Sequence, residues 1–192
     1  ELREFVESKT GSEYAELDKS RQQEGAVRRM LEDIRFTPIP GFFPTPERLV
    51  SRMLVLADGP RKMRCLEPSA GVGDIADRLR DSGQVVECYE IVPRLADILL
   101  AKRHSVIGSD FLAETQRPVY DRVVMNPPFE NASDIKHIEH ARAMLKPGGR
   151  LVALCANGPR QRSALQPIAS TWEDLPAGTF KDAGPMVSVA LL

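Results

Sequence analysis

The sequence predicts an α/β fold around a mostly parallel, open sheet. Three observations carry that expectation. Short apolar runs rich in β-branched residues alternate with amphipathic stretches of helical period. The first such run, residues 64–68, leads directly into Ser69-Ala70-Gly71-Val72-Gly73-Asp74, a glycine turn that opens a helix. A later run, Val123-Val124-Met125, stops at Asn126-Pro127-Pro128-Phe129, where two prolines impose an extended backbone and offer no ladder donors. In an open α/β sheet, such strand exits are where ligands sit.

A chain of 192 residues is sized for one domain with a substantial core. An apolar content of 42% and a charged content of 28% suit a soluble globular protein. The net charge of −1 gives no footprint of a free-standing nucleic-acid binder. No run is long enough to span a bilayer and no signal peptide is visible, so a cytoplasmic protein without membrane contact is expected. Cys65, Cys88 and Cys155 fall in strand runs and form no C-x-x-C, which fits a reducing compartment. The chain opens on Glu1 rather than methionine, so residues upstream are expected.

Residues 1–36 read as an N-terminal helical extension and residues 37–192 as the main domain. In the extension, Tyr14, Leu17, Val27, Met30, Leu31 and Ile34 fit a helical stripe that Gly25 weakens, with Arg21, Arg28 and Arg29 alongside. The expectation is a solvated helix beside the core; the alternative is a lever that touches a partner or a nucleic-acid backbone. Thr45 is placed as an N-cap and Pro46 as the first residue of a helix with Leu49, Val50, Met53, Leu54 and Ala57 on its apolar face. Asp58-Gly59-Pro60 ends it, and its free N-terminal amides suit a ligand carboxylate.

Residues 85–90 form the second strand, ending in Glu90. This acid stands seventeen residues beyond Gly73, near the spacing at which a carboxylate reaches a ribose diol. Residues 105–111 are the third strand and its exit. They deliver Asp110, which can accept from an adenine amino group, and Phe111, which can cover its ring; each acid taken alone reads more simply as a surface carboxylate. Three successive strands thus end in Glu67, Glu90 and Asp110.

Residues 134–145 read as a helix with Ile135, Ile138, Ala141 and Leu145 inward. His137 and His140 lie three apart on it without a clear third ligand, so capping or surface roles are expected and no metal site. Lys146-Pro147-Gly148-Gly149 stops this helix, and residues 150–155 form another buried strand. Its ligand-side end continues into a loop whose Arg160 and Arg162 either meet phosphates or stay solvated. Residues 175–184 are a turn. Residues 186–192 are a closing strand that arrives without a helix and so pairs antiparallel.

The Asn126 exit suits one task, gripping a planar amino group. An exocyclic amine has its lone pair delocalised into a π-system and is a poor nucleophile. If Asn126 Oδ1 and the Pro127 carbonyl each accept one N–H, the nitrogen is drawn towards tetrahedral geometry. Those bonds strengthen as positive charge develops on it. Phe129 stacks on the flat face, and no strong base is required. The plainer alternative is a strand ending in a proline turn, with Phe129 in the core.

Taken in order, these motifs resemble the class I S-adenosylmethionine-dependent methyltransferases. More narrowly, they are similar to the adenine-N6 DNA methyltransferases whose cofactor motifs precede the catalytic one, including small phage- and mobile-element-type members. The resemblance covers roughly residues 40–192. It implies a Rossmann-like α/β fold with a seven-stranded, mostly parallel sheet and one antiparallel strand. It implies S-adenosylmethionine as cofactor. Phe43-Pro44-Thr45-Pro46 resembles the leading motif at the methionine end, and Glu67, Ser69, Ala70, Gly71 and Gly73 the glycine loop beneath it. Glu90, with Ile91, matches the acid on the ribose, and Asp110 and Phe111 the pair at the adenine. Asn126, Pro127, Pro128 and Phe129 match the catalytic tetrapeptide, with Asn126 also beside the cofactor. Leu145-Lys146-Pro147-Gly148-Gly149 resembles the turn into the fifth strand. Phe180 sits where relatives place an aromatic against the target base, and Arg160 and Arg162 are candidate substrate contacts.

The implied reaction is methylation of an exocyclic amine, first of all adenine N6 in DNA. Guanine-N2 RNA methyltransferases and protein glutamine methyltransferases carry similar elbows and stay open. So do a non-catalytic subunit that keeps the fold as a binding module, and another nucleotide-binding enzyme such as a dehydrogenase. Stand-alone DNA enzymes of this type carry a target-recognition domain, which these motifs do not include. A partner subunit, a single-stranded target or residues before Glu1 are expected to fill that role.

Overall fold

The computed structural model describes residues 2–37, 39–176, 178–180 and 188–192. It divides into two units, Glu1–Ile39 and Pro40–Leu192, three residues later than the sequence boundary. The first unit is a single helix, α1 (Leu2–Phe36). Gly25 does not interrupt it, although glycine inside a helix costs about 1 kcal/mol relative to alanine. Side-chain bonds at i,i+4 run along it, from Gln22 to Asp18 at 2.9 Å and from Arg28 to Glu32 at 3.3 Å. Tyr14, Leu17 and Phe36 stand exposed on it.

The second unit carries the sheet. Its strands are β1 (Arg64–Glu67), β2 (Val85–Tyr89), β3 (Ser105–Gly108), β4 (Tyr120–Met125), β5 (Leu145–Ala156), β6 (Glu173–Asp174) and β7 (Val189–Leu191). They lie in the order β3-β2-β1-β4-β5-β7-β6. The first five are parallel, and β7 runs antiparallel to both β5 and β6. The closing strand therefore pairs as its helix-free approach predicts; Met186 and Val187 lie outside the described residues. The strand order turns between β1 and β4, so the crevice above their carboxyl ends is the natural ligand site.

Period-two alternation sends opposite residues of each strand to opposite faces. Val124 of β4, Val152 and Leu154 of β5, and Val189 and Leu191 of β7 join one core. Helices α2 (Glu47–Leu56) and α3 (Asp74–Asp81) supply Leu49, Val50, Met53, Ile75 and Leu79 to it. Val123, Met125, Ala153, Cys155 and Ala190 face the other core. That one is closed by Ile138 and Ala141 of α5 (Ser133–Ala143) and Leu165 of α6 (Pro159–Leu165). Helix α4 (Pro93–Ala101) packs Leu99 against Ala70, Ala76 and Cys88 near the β2 side.

Three local expectations need correction. The N-cap of α2 is Pro46, whose carbonyl accepts from Leu49 and Val50, and Thr45 makes no cap. Leu145 begins β5 rather than ending α5. The Lys146–Gly149 turn is taken up inside that strand, where Gly148 is left-handed at φ +77°. The stretch after β5 is not a loop, because Pro159 opens α6 at its first position.

Candidate active site at the strand tips

Each of the first four strands delivers one polar group to the same crevice. Glu67 is the last residue of β1, Glu90 follows β2 directly, Asp110 stands two residues past β3, and Asn126 follows β4. All four line one pocket, together with Thr45, Ser69, Ala70, Gly71, Ile91, Phe111, Pro127, Pro128 and Phe129. Phe42, Asp74, Ser109 and His137 also line it.

Glu90 is buried and both of its oxygens are engaged. Oε2 accepts from the Gly71 amide at 2.7 Å and Oε1 from the Val92 amide at 2.8 Å. Burial raises this carboxyl above its ordinary range, and the bonds from Val92 and Gly71 pull against that rise. The carboxylate thus holds the glycine loop and keeps a lone pair on each oxygen for a diol. Glu67 differs. It is 2% exposed, and its Oε2 has no hydrogen-bond partner among the described residues. Burial first, then the neighbouring Asp74 carboxylate, push it well above the carboxylate range. Asp74 is also raised by burial, against the Thr45 amide that donates to its Oδ2 at 2.9 Å. An orphaned buried oxygen with Asp74, Asp77 and Glu90 near it suits a cationic donor.

The glycine loop can approach a ligand because of its backbone. Gly71 is left-handed at φ +56°, and a Cβ there would come within 2.7 Å of Phe42 Cε2. Gly73 does not reach the pocket. It caps α3 at φ +90°, with Leu99 and His104 where its side chain would be. Behind the loop, Lys102 Nζ donates to the Val72 carbonyl at 2.7 Å and to Asp77 Oδ2 at 2.6 Å. The His104 ring meets Asp77 Oδ1 at 2.7 Å. Burial opposes ionisation of Asp77, but the bonds from His104 and Lys102 outweigh it and hold the carboxyl down to about 2.

The elbow is set by a distant segment. Asn126 Nδ2 donates to the Phe43 carbonyl at 3.2 Å and to Thr45 Oγ1 at 3.1 Å. Both N–H groups of the amide are thus used, and Oδ1 is left as its open acceptor on the pocket wall. Pro127 is buried and Pro128 exposed. Phe129 is half-buried with one side against the α2 core. The chain then turns through Asn131 and Ala132, both left-handed, before α5 begins. Asp134, fully buried, accepts from Gln161 and from the Ala156 amide and so ties α5 to the end of β5.

Other expected residues lie elsewhere. Phe180 is 7% exposed and packs in the α2 core beside Leu49 and Val189, so its ring is closed to a substrate base. Arg162 is engaged by Asp174 at 2.8 Å, its guanidinium lying over the Trp172 ring. Arg160 is exposed at the start of α6, and neither arginine lines the pocket. Phe111 reaches the wall but is 2% exposed, wedged against Tyr89 and His140, so it supports the site more than it covers a ligand. Ile91, 66% exposed, is the free apolar surface at that end. His137 and His140 are half-buried, and both rings pack on Phe111. Among the described residues no group of three or more metal-ligand side chains forms, and no helix is long and apolar enough to cross a membrane.

Asp74, Phe42 and His137 join the site beyond those the sequence motifs mark. Asp74 carried a signal, as an acid directly after a glycine turn. Phe42 and His137 carried none, because only the packing of separate elements brings them to the pocket.

A family model for the methyltransferase small domain matches residues 94–176. The type II methyltransferase M.HincII of Haemophilus influenzae is 30% identical over 100 residues, covering 52% of this chain and 19% of that protein. M.HindII from the same species is 30% identical over 100 residues, and the match spans 18% of its length. Among solved structures, a putative RNA methyltransferase of Pyrococcus horikoshii matches with a TM-score of 0.61 at 18% identity, over 78% of this chain and 83% of that one. TrmN from Thermus thermophilus gives 0.53 at 23% identity, over 75% of this chain and 48% of that one. A TehB-like protein of Corynebacterium glutamicum gives 0.54 at 16% identity, over 90% and 96%. At these identities the structural likeness is one of fold.

Proposed function

We propose that this chain, which belongs to the class I S-adenosylmethionine-dependent methyltransferases, methylates an exocyclic amino nitrogen, and specifically N6 of adenine in DNA. The observation that carries the reading is the Asn126 amide. Its nitrogen is committed to Phe43 and Thr45, so its oxygen is presented as an acceptor in the same pocket as the three strand-tip acids. The choice of adenine in DNA rests on Asn126-Pro127-Pro128-Phe129 following the cofactor residues in chain order, as in the enzymes it resembles.

S-adenosylmethionine is the cofactor, and the residues present fit it. When bound, it supplies an electrophilic methyl group on a sulfonium. The orphaned Glu67 oxygen, with Asp74 beside it, suits the ammonium of the methionine moiety. Gly71, kept free of a side chain, lets the backbone approach. Glu90 offers its remaining lone pairs to the ribose hydroxyls, and Asp110 its carboxylate to the adenine amine. Asn126 Oδ1 and the Pro127 carbonyl hold the two N–H groups of the substrate amine and stabilise charge as it develops there. The half-buried Phe129 ring stacks on the base. Phe180 is closed and Arg162 is paired with Asp174, so neither is a ready contact for a duplex. Target recognition in this reading comes from a partner subunit or a further segment.

The test is transfer of a labelled methyl group to DNA, RNA and protein fractions, with the product nucleoside identified. N6-methyladenine in DNA is expected; label confined to RNA or protein would overturn the substrate assignment. Asn126→Ala is expected to lower turnover by at least 100-fold, the scale of losing one charge-stabilising acceptor, while S-adenosylhomocysteine still binds.

A further inference from the structure

His137 is a pocket residue that the catalytic scheme leaves without a task. It lies on the first turns of α5, and its ring sits beside Phe111 with centroids 6.0 Å apart. Nδ1 is 2.8 Å from the Ser133 carbonyl and 3.2 Å from Ser133 Oγ. A carbonyl only accepts, so Nδ1 carries the proton of the neutral ring, and Nε2 is an unprotonated acceptor. Asp110, on the same stretch of wall, uses Oδ1 to accept from the Leu112 amide at 3.0 Å, which leaves Oδ2. At this end of the pocket Asp110 and His137 each present an acceptor, and the Ser109 hydroxyl beside them can donate or accept.

We infer that His137 reads the purine of the cofactor: its Nε2 accepts one N–H of the adenine exocyclic amine while the Asp110 carboxylate accepts the other. This rests on the proposed binding mode, with Asp110 at the adenine. An exocyclic amine has two N–H donors, and a pair of acceptors saturates it. A 6-oxo purine in the same place would set an oxygen against two acceptors and be rejected. Burial lowers the His137 pKa below the ordinary histidine value, against the Ser133 carbonyl and the Asp110 and Asp134 carboxylates; His140, on the same helix, adds to the lowering. His140 is itself held at Nδ1 by Gln116 and packed edge-on against Phe111. The ring is thus neutral at neutral pH, and the acceptor is lost on acidification.

Calorimetric titration with S-adenosylhomocysteine and S-inosylhomocysteine tests this on the whole chain and its His137→Phe variant. Replacing the acceptor by a ring of similar size is expected to weaken S-adenosylhomocysteine roughly ten-fold. It should leave S-inosylhomocysteine unchanged or tighter, so the preference between the two narrows. As pH falls below the ordinary histidine value of 6.5, the wild-type protein should lose affinity for S-adenosylhomocysteine more steeply than the variant. Equal weakening of both ligands would mean that His137 only shapes the wall, and native affinity in the variant would also overturn the assignment. Should His137→Phe not fold, His137→Leu, which also lacks an acceptor, carries the same comparison, with the steep acid limb expected to disappear. Failure of the wild-type protein to bind S-adenosylhomocysteine would remove the cofactor placement itself; native binding with an unaltered purine preference would remove only the role of His137.

Discussion

Glu90→Gln separates two tasks that one carboxylate performs. In the structure its oxygens accept from Gly71 at 2.7 Å and from Val92 at 2.8 Å. A glutamine amide offers one oxygen and sets its NH₂ against the other N–H. Gly71 is buried and Val92 half-buried, so the oxygen should keep Gly71 and leave Val92 short of a partner. An unpaired buried donor costs about 1–3 kcal/mol, and partial exposure of Val92 puts the expected loss near 1 kcal/mol. For a domain of this size that lowers Tm by roughly 2–4 °C. On the ligand side, a ribose hydroxyl exchanges a charged acceptor for a neutral donor. Hydrogen bonds to charged groups contribute about 1.5–3 kcal/mol, so affinity for S-adenosylhomocysteine should fall roughly ten- to 100-fold. Thermal unfolding without ligand and calorimetry with it read the two effects independently. Native affinity in a variant with a lowered Tm would refute the ribose role; an unchanged Tm would refute the claim that Glu90 builds the loop.

Glu67→Gln should act in the opposite direction on stability. A carboxyl with a raised folded-state pKa makes the native state bind more protons than the unfolded chain between the two pKa values. Stability therefore falls as pH rises through that window. Removing the charge should raise Tm at pH 7.5 by about 2–4 °C for each kcal/mol regained and flatten this dependence, while weakening the cofactor. Asp77 has the reverse sign: its contribution is complete above the unfolded value of 3.8 and is lost as pH falls towards about 2. Acid titration of Asp77→Asn should show lower stability at neutral pH, by about 1–3 kcal/mol, and a shallower acid limb. Phe180→Ala should destabilise the fold by about 3 kcal/mol in urea unfolding and leave the KM for nucleic acid unchanged in the folded fraction. A selective rise in KM would restore its ring to the substrate.

The strand tips were legible because each combines two local signals, an apolar run and a polar residue that ends it. Glu67, Glu90, Asp110 and Asn126 were placed that way, and all four line the pocket. The antiparallel β7 was legible because no helix separates it from its predecessor. Phe180 was misread because its neighbours come from α2, β5 and β7, none of them near it in local pattern. Thr45 looked like a cap because threonine before proline is good capping chemistry. Its actual partner is an amide 81 residues away, which no local rule can find. The arginines of α6 were ambiguous for the same reason, since Asp174 answers Arg162 from across a turn.

That long-range bond has a bearing on how the protein can be altered. The group that would meet the reacting nitrogen takes its orientation from Phe43 and Thr45, upstream of every strand. Competence is thus a joint property of two remote stretches of chain. A backbone cut or a deletion just ahead of α2 would leave the sheet standing and the acids in place. The amide would swing free, and the protein would still hold its ligand while having lost its aim.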